Sequence, residues 1–388
     1  MGIELPQSFQ VLTYAGIWRP LEWKGLKARA YDLYTSIVIF FHLSFLTSGL
    51  LDMEFENFEF IAMVDHVSLV VGYVQNIPKI TSILNYRQDI IEVIDKLQIH
   101  PLRLKNADEE LTHAKYDRLD RMITFWFPKL GMTSIAWYTM RHFVAINTAY
   151  GLPYRGYFPY NYTVNPVIYW CTAVEQMYSV IILAVVNAGF NVFLPTMMFQ
   201  VCGKLTVLQH RFKLLIKKLE IIASTDKQIL SEDKLKKIEQ QLLCDWVENH
   251  IAILNLFKFT NILFSKAVFI HYVTNTVVLC TVAYMLSQTQ IDDLNFVTNV
   301  FFFIVMCSQQ FLQCITAQQV TIEFENLRNE IYNSDWHSSR TTIMKSMLII
   351  MCKTSQPVVF ITGHFVDLSL DSFKKIIKLS YTIFNVLE

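Results

Sequence analysis

A chain of 388 residues that is 53% hydrophobic and only 17% charged does not read as a soluble domain, where charged residues reach about 25%. Its formal net charge of zero offers no global field for nucleic acid, while 29 Phe, 18 Tyr and a mean hydropathy of +0.32 suit lipid, interfaces and apolar pockets. Seven cysteines, scattered mostly inside apolar runs with no CxxC pair, argue against a disulfide framework or a zinc site and read as small buried apolar residues.

The opening "MGIELPQSFQVLTYAGIWRP" lacks the basic stretch and apolar core of a cleavable leader, and Pro6 occupies the Ser/Thr position of a myristoylation site. The first span is therefore expected to act as its own insertion signal. Runs near 34–51, 60–84, 122–148, 167–202, 259–287 and 294–319 approach or exceed the roughly 20 apolar residues that cross a bilayer. A seventh span falls in the tail, and the longer runs must tilt or project beyond the lipid. Basic residues alternate across the connections. Arg19, Lys24, Lys27 and Arg29 precede the first span, the following "DMEFENFEF" has none, and 85–121 and 204–237 are strongly basic. The positive-inside rule then puts the N-terminus in the cytoplasm and, after seven spans, the C-terminus outside. The sequon Asn161-Tyr162-Thr163 falls in a loop placed outside, where Asn161 could carry a glycan.

Between spans four and five, apolar residues recur at helical spacing: Leu205, Leu208, Phe212, Leu215 and Leu219, then Leu235, Ile238, Leu242 and Trp246. Both spans are thus expected to continue as helices into the cytoplasm, interrupted at "ASTDKQILSED", with Thr225-Asp226 or Ser231-Glu232-Asp233 capping the second. The tail is less regular. Lys345, Lys353 and Pro357 break its first apolar stretch, and its last helix carries Lys374, Lys375 and Lys378.

Two receptor-like motifs are misplaced. "NPVIY" at 165–169 matches NPxxY of G-protein-coupled receptors but lies outside, before span four; "DRM" at 120–122 resembles DRY but precedes span three. They read as a helix-start proline and a cytoplasmic charge pair. No Walker loop, GxGxxG, HExxH or GxSxG is present, so no enzyme and no cofactor is expected. Asp65, His66, Glu175 and Lys266 are the ionisable residues within spans, all near span ends where side chains snorkel to the interface.

The tail carries Ile331-Tyr332, Asp335-Trp336, Ser355-Gln356-Pro357, Gly363, Leu368-Ser369-Leu370, Phe373 and the Ser380–Phe384 end. Over about sixty residues this pattern resembles the C-terminal signature of insect odorant receptors. The resemblance implies an all-α membrane protein with seven transmembrane helices, a cytoplasmic N-terminus, an extracellular C-terminus and helices extended into a cytoplasmic anchor domain. It implies a ligand-gated, non-selective cation channel of four subunits around one pore, opened directly by an odorant. The short connection between spans four and five is unlike the shared co-receptor, Orco, so the chain reads as an odorant-selective subunit assembling with Orco in a plasma-membrane heterotetramer of olfactory neurons. The organisation expected is a cytoplasmic segment 1–33, transmembrane helices one to four over 34–203, an anchor extension 204–258, helices five and six over 259–320, an anchor segment 321–367 and a pore-lining helix 368–388.

The same resemblance places Lys375, Leu379, Thr382 and Val386 on the pore face, with Val386 at a hydrophobic gate that excludes ions by dewetting. Ile383-Phe384 departs from the family's aromatic pair before the gate, and a Gln common one turn later is not matched. The odorant pocket is implied in the outer halves of spans two, three, four and six, about 61–74, 134–146, 168–185 and 296–308. The residues chosen there are Val70, Tyr73 and Val74; Ser134, Trp137 and Tyr138; Met177 and Ile181; and Phe301, Phe302 and Val305. Such a lining suits a small neutral volatile. A gustatory receptor of the same superfamily is the nearest alternative, although its TYxxxxxQF ending is only half matched by Ser380-Tyr381. A G-protein-coupled receptor would need the opposite orientation, and a transporter would need an internal repeat, which the chain does not show.

Overall fold

The computed structural model describes residues 7–55, 59–145, 151–224, 232–290, 294–363 and 365–387. They form helices α1 (Gln7–Tyr14), α2 (Leu26–Phe55), α3 (Phe60–Val74), α4 (Asn76–Asn85), α5 (Arg87–Gln98), α6 (Ala107–Ala145), α7 (Pro166–Ser224), α8 (Glu232–Gln288), α9 (Leu294–Tyr332) and α10 (Thr341–Thr354). A hairpin of β1 (Ile361–Thr362) and β2 (Val366–Asp367) follows, then α11 (Leu370–Leu387). The hairpin strands are antiparallel, with Ile361 opposite Asp367 and Thr362 opposite Val366. Among the described residues the regular structure is helical apart from these two short strands.

Among the described residues, α2, α7, α8 and α9 are each long and apolar enough to cross a membrane. The run 60–84, expected as one span, is two helices. Gln75 keeps helical angles (φ −63°, ψ −23°) and its N–H reaches Val71 O and Tyr73 O, but α3 ends at Val74 and α4 begins at Asn76. Pro78 is the reason: it has no N–H for the ladder and its ring crowds the preceding turn. The Asn76 side chain then donates to Leu183 O at 3.1 Å, which ties the break to α7.

The helical continuation read between 204 and 258 is present. α7 runs 59 residues and α8 runs 57, each unbroken. Of the two caps expected for the second helix, Thr225-Asp226 lies outside the described residues, and α8 starts at Glu232. The main hydrophobic core forms where α7, α8 and α9 gather with α1, α5, α10 and the hairpin. Phe9 meets Trp18 and Phe193 at centroid distances of 4.5 and 5.0 Å, and Phe257 lies between Phe324 and Phe360.

Polar ties lock the same region. Arg211 donates to both carboxylate oxygens of Glu109 at 2.8 Å and to Asn249 Oδ1 at 2.6 Å. Burial alone would raise the Glu109 carboxyl; hydrogen bonds from Arg211 and the Lys105 N–H outweigh it and hold the group below the usual carboxylate range. The Tyr116 hydroxyl donates to Glu323 at 2.6 Å, and Gln209 reaches the same carboxylate.

The tail resolves into α10 and α11, separated by the hairpin. Gly363, at the turn, has φ +57°, and its N–H donates to Ser265 Oγ at 3.0 Å. Leu368 N–H bonds Phe360 O at 2.8 Å, and Ser369 Oγ accepts the Ser372 N–H at the start of α11.

Candidate functional site

A cavity opens among α3, α6, α7, α8 and α9, with about 730 Å³ of empty space counting its crevices and mouth. α3 supplies Asp65, Ser68, Leu69 and Gly72, and Gln75, which caps its end with helical angles, continues the row. Those are spacings of three, four, seven and ten, so one face of one helix forms a wall on the order of 15 Å long. α7 supplies Val180, Leu183, Ala184 and Asn187 at the same helical spacing. Val278, Val282 and Met285 come from α8, Ile135 and Tyr138 from α6, and Asn299, Phe302 and Met306 from α9.

The walls are apolar and the ends are polar. At one end the Tyr138 hydroxyl donates to Asp65 Oδ1 at 2.9 Å, and Tyr138 packs on Phe302 with ring centroids 5.7 Å apart. Ser68 Oγ and Thr281 Oγ1 lie 2.6 Å apart partway along. At the other end Gln75 Oε1 lies 3.1 Å from His271 Nδ1. Asn187 adjoins a buried network in which the Lys79 amino group donates to the side-chain oxygens of Asn187 and Asn191. Asn191 continues it to Gln309 at 3.0 Å and Gln313 at 3.1 Å. This geometry can enclose a small, mainly apolar molecule and offer it hydrogen bonds chiefly at its ends.

Of the residues chosen from sequence, Tyr138 and Phe302 line this cavity. Val70 and Tyr73 lie on another side of α3, in a cluster with Phe45, Leu46, Val180 and Leu183; the Tyr73 ring stacks on Phe45 at 4.4 Å. Met177 packs against that cluster too. Ser134 and Val305 are buried without touching the cavity, and Phe301 is half-buried. Val74, Trp137 and Ile181 are exposed on the described chain, Trp137 donating its indole N–H to Thr298 Oγ1 at 3.0 Å. α8 was not among the expected walls, although it contributes three residues. The α3 face that borders the cavity was also missed. Its signal is a period of polar and small residues (Asp65, Ser68, Gly72, Gln75) inside an otherwise apolar helix.

In α11, Ser372, Ile376 and Ser380 are buried, whereas Lys375, Leu379 and Thr382 share the exposed side. The Val386 side chain lies outside the described residues. Asn161 is exposed, its side-chain oxygen accepting from Thr163. His66 is buried with Nε2 2.9 Å from Gly49 O, Glu175 accepts from Ser44 at 2.7 Å, and Lys266 is exposed. Asn165 caps α7 by accepting the Val167 N–H at 2.9 Å, with Pro166 as the first helical residue, the arrangement expected of a helix start. Among the described residues no group of three or more His, Cys, Asp or Glu is placed to hold a metal ion.

The family model described as 7tm Odorant receptor matches residues 59–381. Odorant receptor 19a of Drosophila melanogaster is 25% identical over 149 residues, 38% of each chain, so the match spans well under half of that relative. The odorant receptor coreceptor of Aedes aegypti is 28% identical over 145 residues, 37% of this chain and 30% of that one. The olfactory receptor OR5 of Machilis hrabei superposes with a TM-score of 0.81 at 14% identity, covering 98% of this chain and 96% of that structure; its complex with eugenol gives 0.77. At that identity the likeness shows the fold, an all-α membrane protein of the seven-transmembrane type.

Proposed function

The chain belongs to the insect 7tm odorant receptor family, and from that premise we propose that it is an odorant-binding subunit of a ligand-gated, non-selective cation channel. The observation that carries the proposal is the cavity enclosed by α3, α6, α7, α8 and α9, apolar along its walls and polar at its ends. A small volatile would bind there between Tyr138, Phe302 and the α8 wall, as the OR5 structure in complex with eugenol encourages for this fold.

The rest of the fold supplies a path from cavity to pore. Val278, Val282, Phe302 and Met306 line the cavity and form one apolar cluster with Ile376 of α11. On another face of α8, the Tyr272 hydroxyl donates to Ser372 O at 3.2 Å. A ligand that favours one setting of α8 and α9 therefore biases α11. It does so only through a difference in affinity between the closed and open arrangements. In this proposal Lys375, Leu379, Thr382 and Val386 face the pore, and the segments 204–258 and 321–367 form the cytoplasmic anchor where subunits meet. The N-terminus is cytoplasmic, Asn161 is an extracellular glycosylation site, and the complex sits in the plasma membrane of olfactory neurons.

The partner is the family's coreceptor, in a heterotetramer. Expression in a heterologous cell with and without that coreceptor, under a panel of volatiles, tests this. Odorant-evoked cation current that requires the coreceptor and survives G-protein block is the expected outcome. Silence with every partner across the panel would sink the channel reading.

A further inference from the structure

We infer that the cavity selects neutral carbonyl compounds (ketones, aldehydes and esters), seated oxygen-first against the amide groups of Gln75 and Asn187. The inference rests on the reading of this cavity as the ligand site.

The orientation of both amides follows from their neighbours. Lys79 is fully buried, and its amino group points at the side-chain oxygens of Asn187 and Asn191. It bonds the Asn187 side-chain oxygen, so that oxygen faces α4 and the amide nitrogen faces the other way. The Asn187 nitrogen makes one long contact, 3.4 Å to Gln309 Oε1, and retains a second N–H. Gln75 is 4% exposed and lines the cavity, at the break between α3 and α4. Its side chain meets His271 Nδ1 at 3.1 Å, while His271 Nε2 has no hydrogen-bond partner among the described residues. A buried N–H without an acceptor is rarer than a bare acceptor atom. The imidazole therefore carries its proton on Nδ1 and donates it to Gln75 Oε1. That leaves the Gln75 amide nitrogen, which has no partner among the described residues, as a donor at the deep end of the cavity.

Gln75 and Asn187 thus present N–H groups to this end. Walls such as Leu183, Val278 and Met306 are apolar. An oxygen that accepts hydrogen bonds satisfies both donors, and its hydrocarbon remainder runs along the shaft toward Tyr138. An alkane leaves the donors unmet, and an amine brings further donors to an end whose two amide oxygens are already bonded to His271 and Lys79.

The test is ligand-induced thermal stabilisation of the purified full-length chain in lipid nanodiscs, with octan-2-one, octan-1-amine and n-octane as probes. For the native chain the half-effective concentration of octan-2-one is expected roughly five- to tenfold below that of n-octane, the worth of one or two neutral hydrogen bonds. Gln75→Met, which leaves the Asn187 donor in place, should cut that advantage to roughly two- to threefold. Gln75→Glu retains an oxygen for His271 and removes the amide donor, so octan-1-amine should overtake octan-2-one, an exchange that a merely structural role would not produce. Equal response to ketone and alkane, a preference of the native chain for the amine, or a ketone advantage left undiminished by Gln75→Met would overturn the inference. Ketone-selective stabilisation without odorant-evoked current would instead overturn the channel proposal and leave the ligand class standing.

Discussion

Tyr73 and Tyr138 are both aromatic residues of buried-looking spans, yet their surroundings differ. Tyr73 is fully buried, stacked on Phe45 and packed beside Val70 and Leu183. Tyr138 borders the cavity and donates to Asp65. Tyr138→Ala is therefore expected to change odorant potency and rank order with normal surface delivery. Tyr73→Ala should act through folding, at a loss of about 3–5 kcal/mol typical of emptied aromatic sites. Dose–response curves normalised to surface receptor separate the two; unchanged potency in Tyr138→Ala would remove that residue from the site. Choosing residues by aromaticity and helical spacing finds the best-buried face of a span. It does not say whether that face meets side chains or empty space, because either one removes it from water. Asp65, Gln75, Asn187 and Asn299 mark the cavity more directly, since a polar side chain inside an apolar span has to be met by something.

At the level of elements, the tail shows why a sequence of mixed character is hard to read as one helix. Lys345 and Lys353 lie on α10, whose apolar residues Ile343, Met347 and Ile350 are buried. The hairpin then reverses the chain before α11. Gly363 makes that reversal possible: its positive φ is strained for any residue with a Cβ, and a methyl there would press into the Phe269 ring. Gly363→Ala is expected to lose about 1–2 kcal/mol from the backbone alone, with more from the contact. A thermal unfolding midpoint equal to that of the native chain would show that the turn tolerates it. The α3–α4 break was legible in principle, since Pro78 is in the sequence. Its result was not: the kink turns Gln75 toward His271 of α8, a residue 196 positions away.

Across the whole molecule, α8 is shared between two tasks. One face gives Val278 and Val282 to the cavity, and another carries Tyr272 and Cys280, which meet Ser372 and Ser380 of α11. In the proposed channel the exposed face of α11, with Lys375, Leu379 and Thr382, is left for neighbouring subunits or the ion path. On the proposed pore-facing placement of Leu379, Leu379→Cys should let a membrane-impermeant thiol reagent reduce odorant-evoked current, and more quickly when odorant is present. Current untouched by the reagent, with the cysteine shown to be labelled, would take Leu379 off the pore.

Composition, hydrophobic run lengths and the tail motif by themselves determined an all-α membrane protein of this family. These are local properties, and lipid imposes them on each span separately through hydrogen-bond satisfaction and apolar length. The continuation of α7 and α8 far beyond their spans was legible for the same reason, since helical periodicity is written within one segment. Only the tertiary structure decided where the cavity lies, that α8 walls it, and which amide ends face into it. Those depend on how helices rotate about their own axes when they pack, and the rotation is set by partners such as Lys79, His271 and Phe45, distant in sequence from much of what they orient.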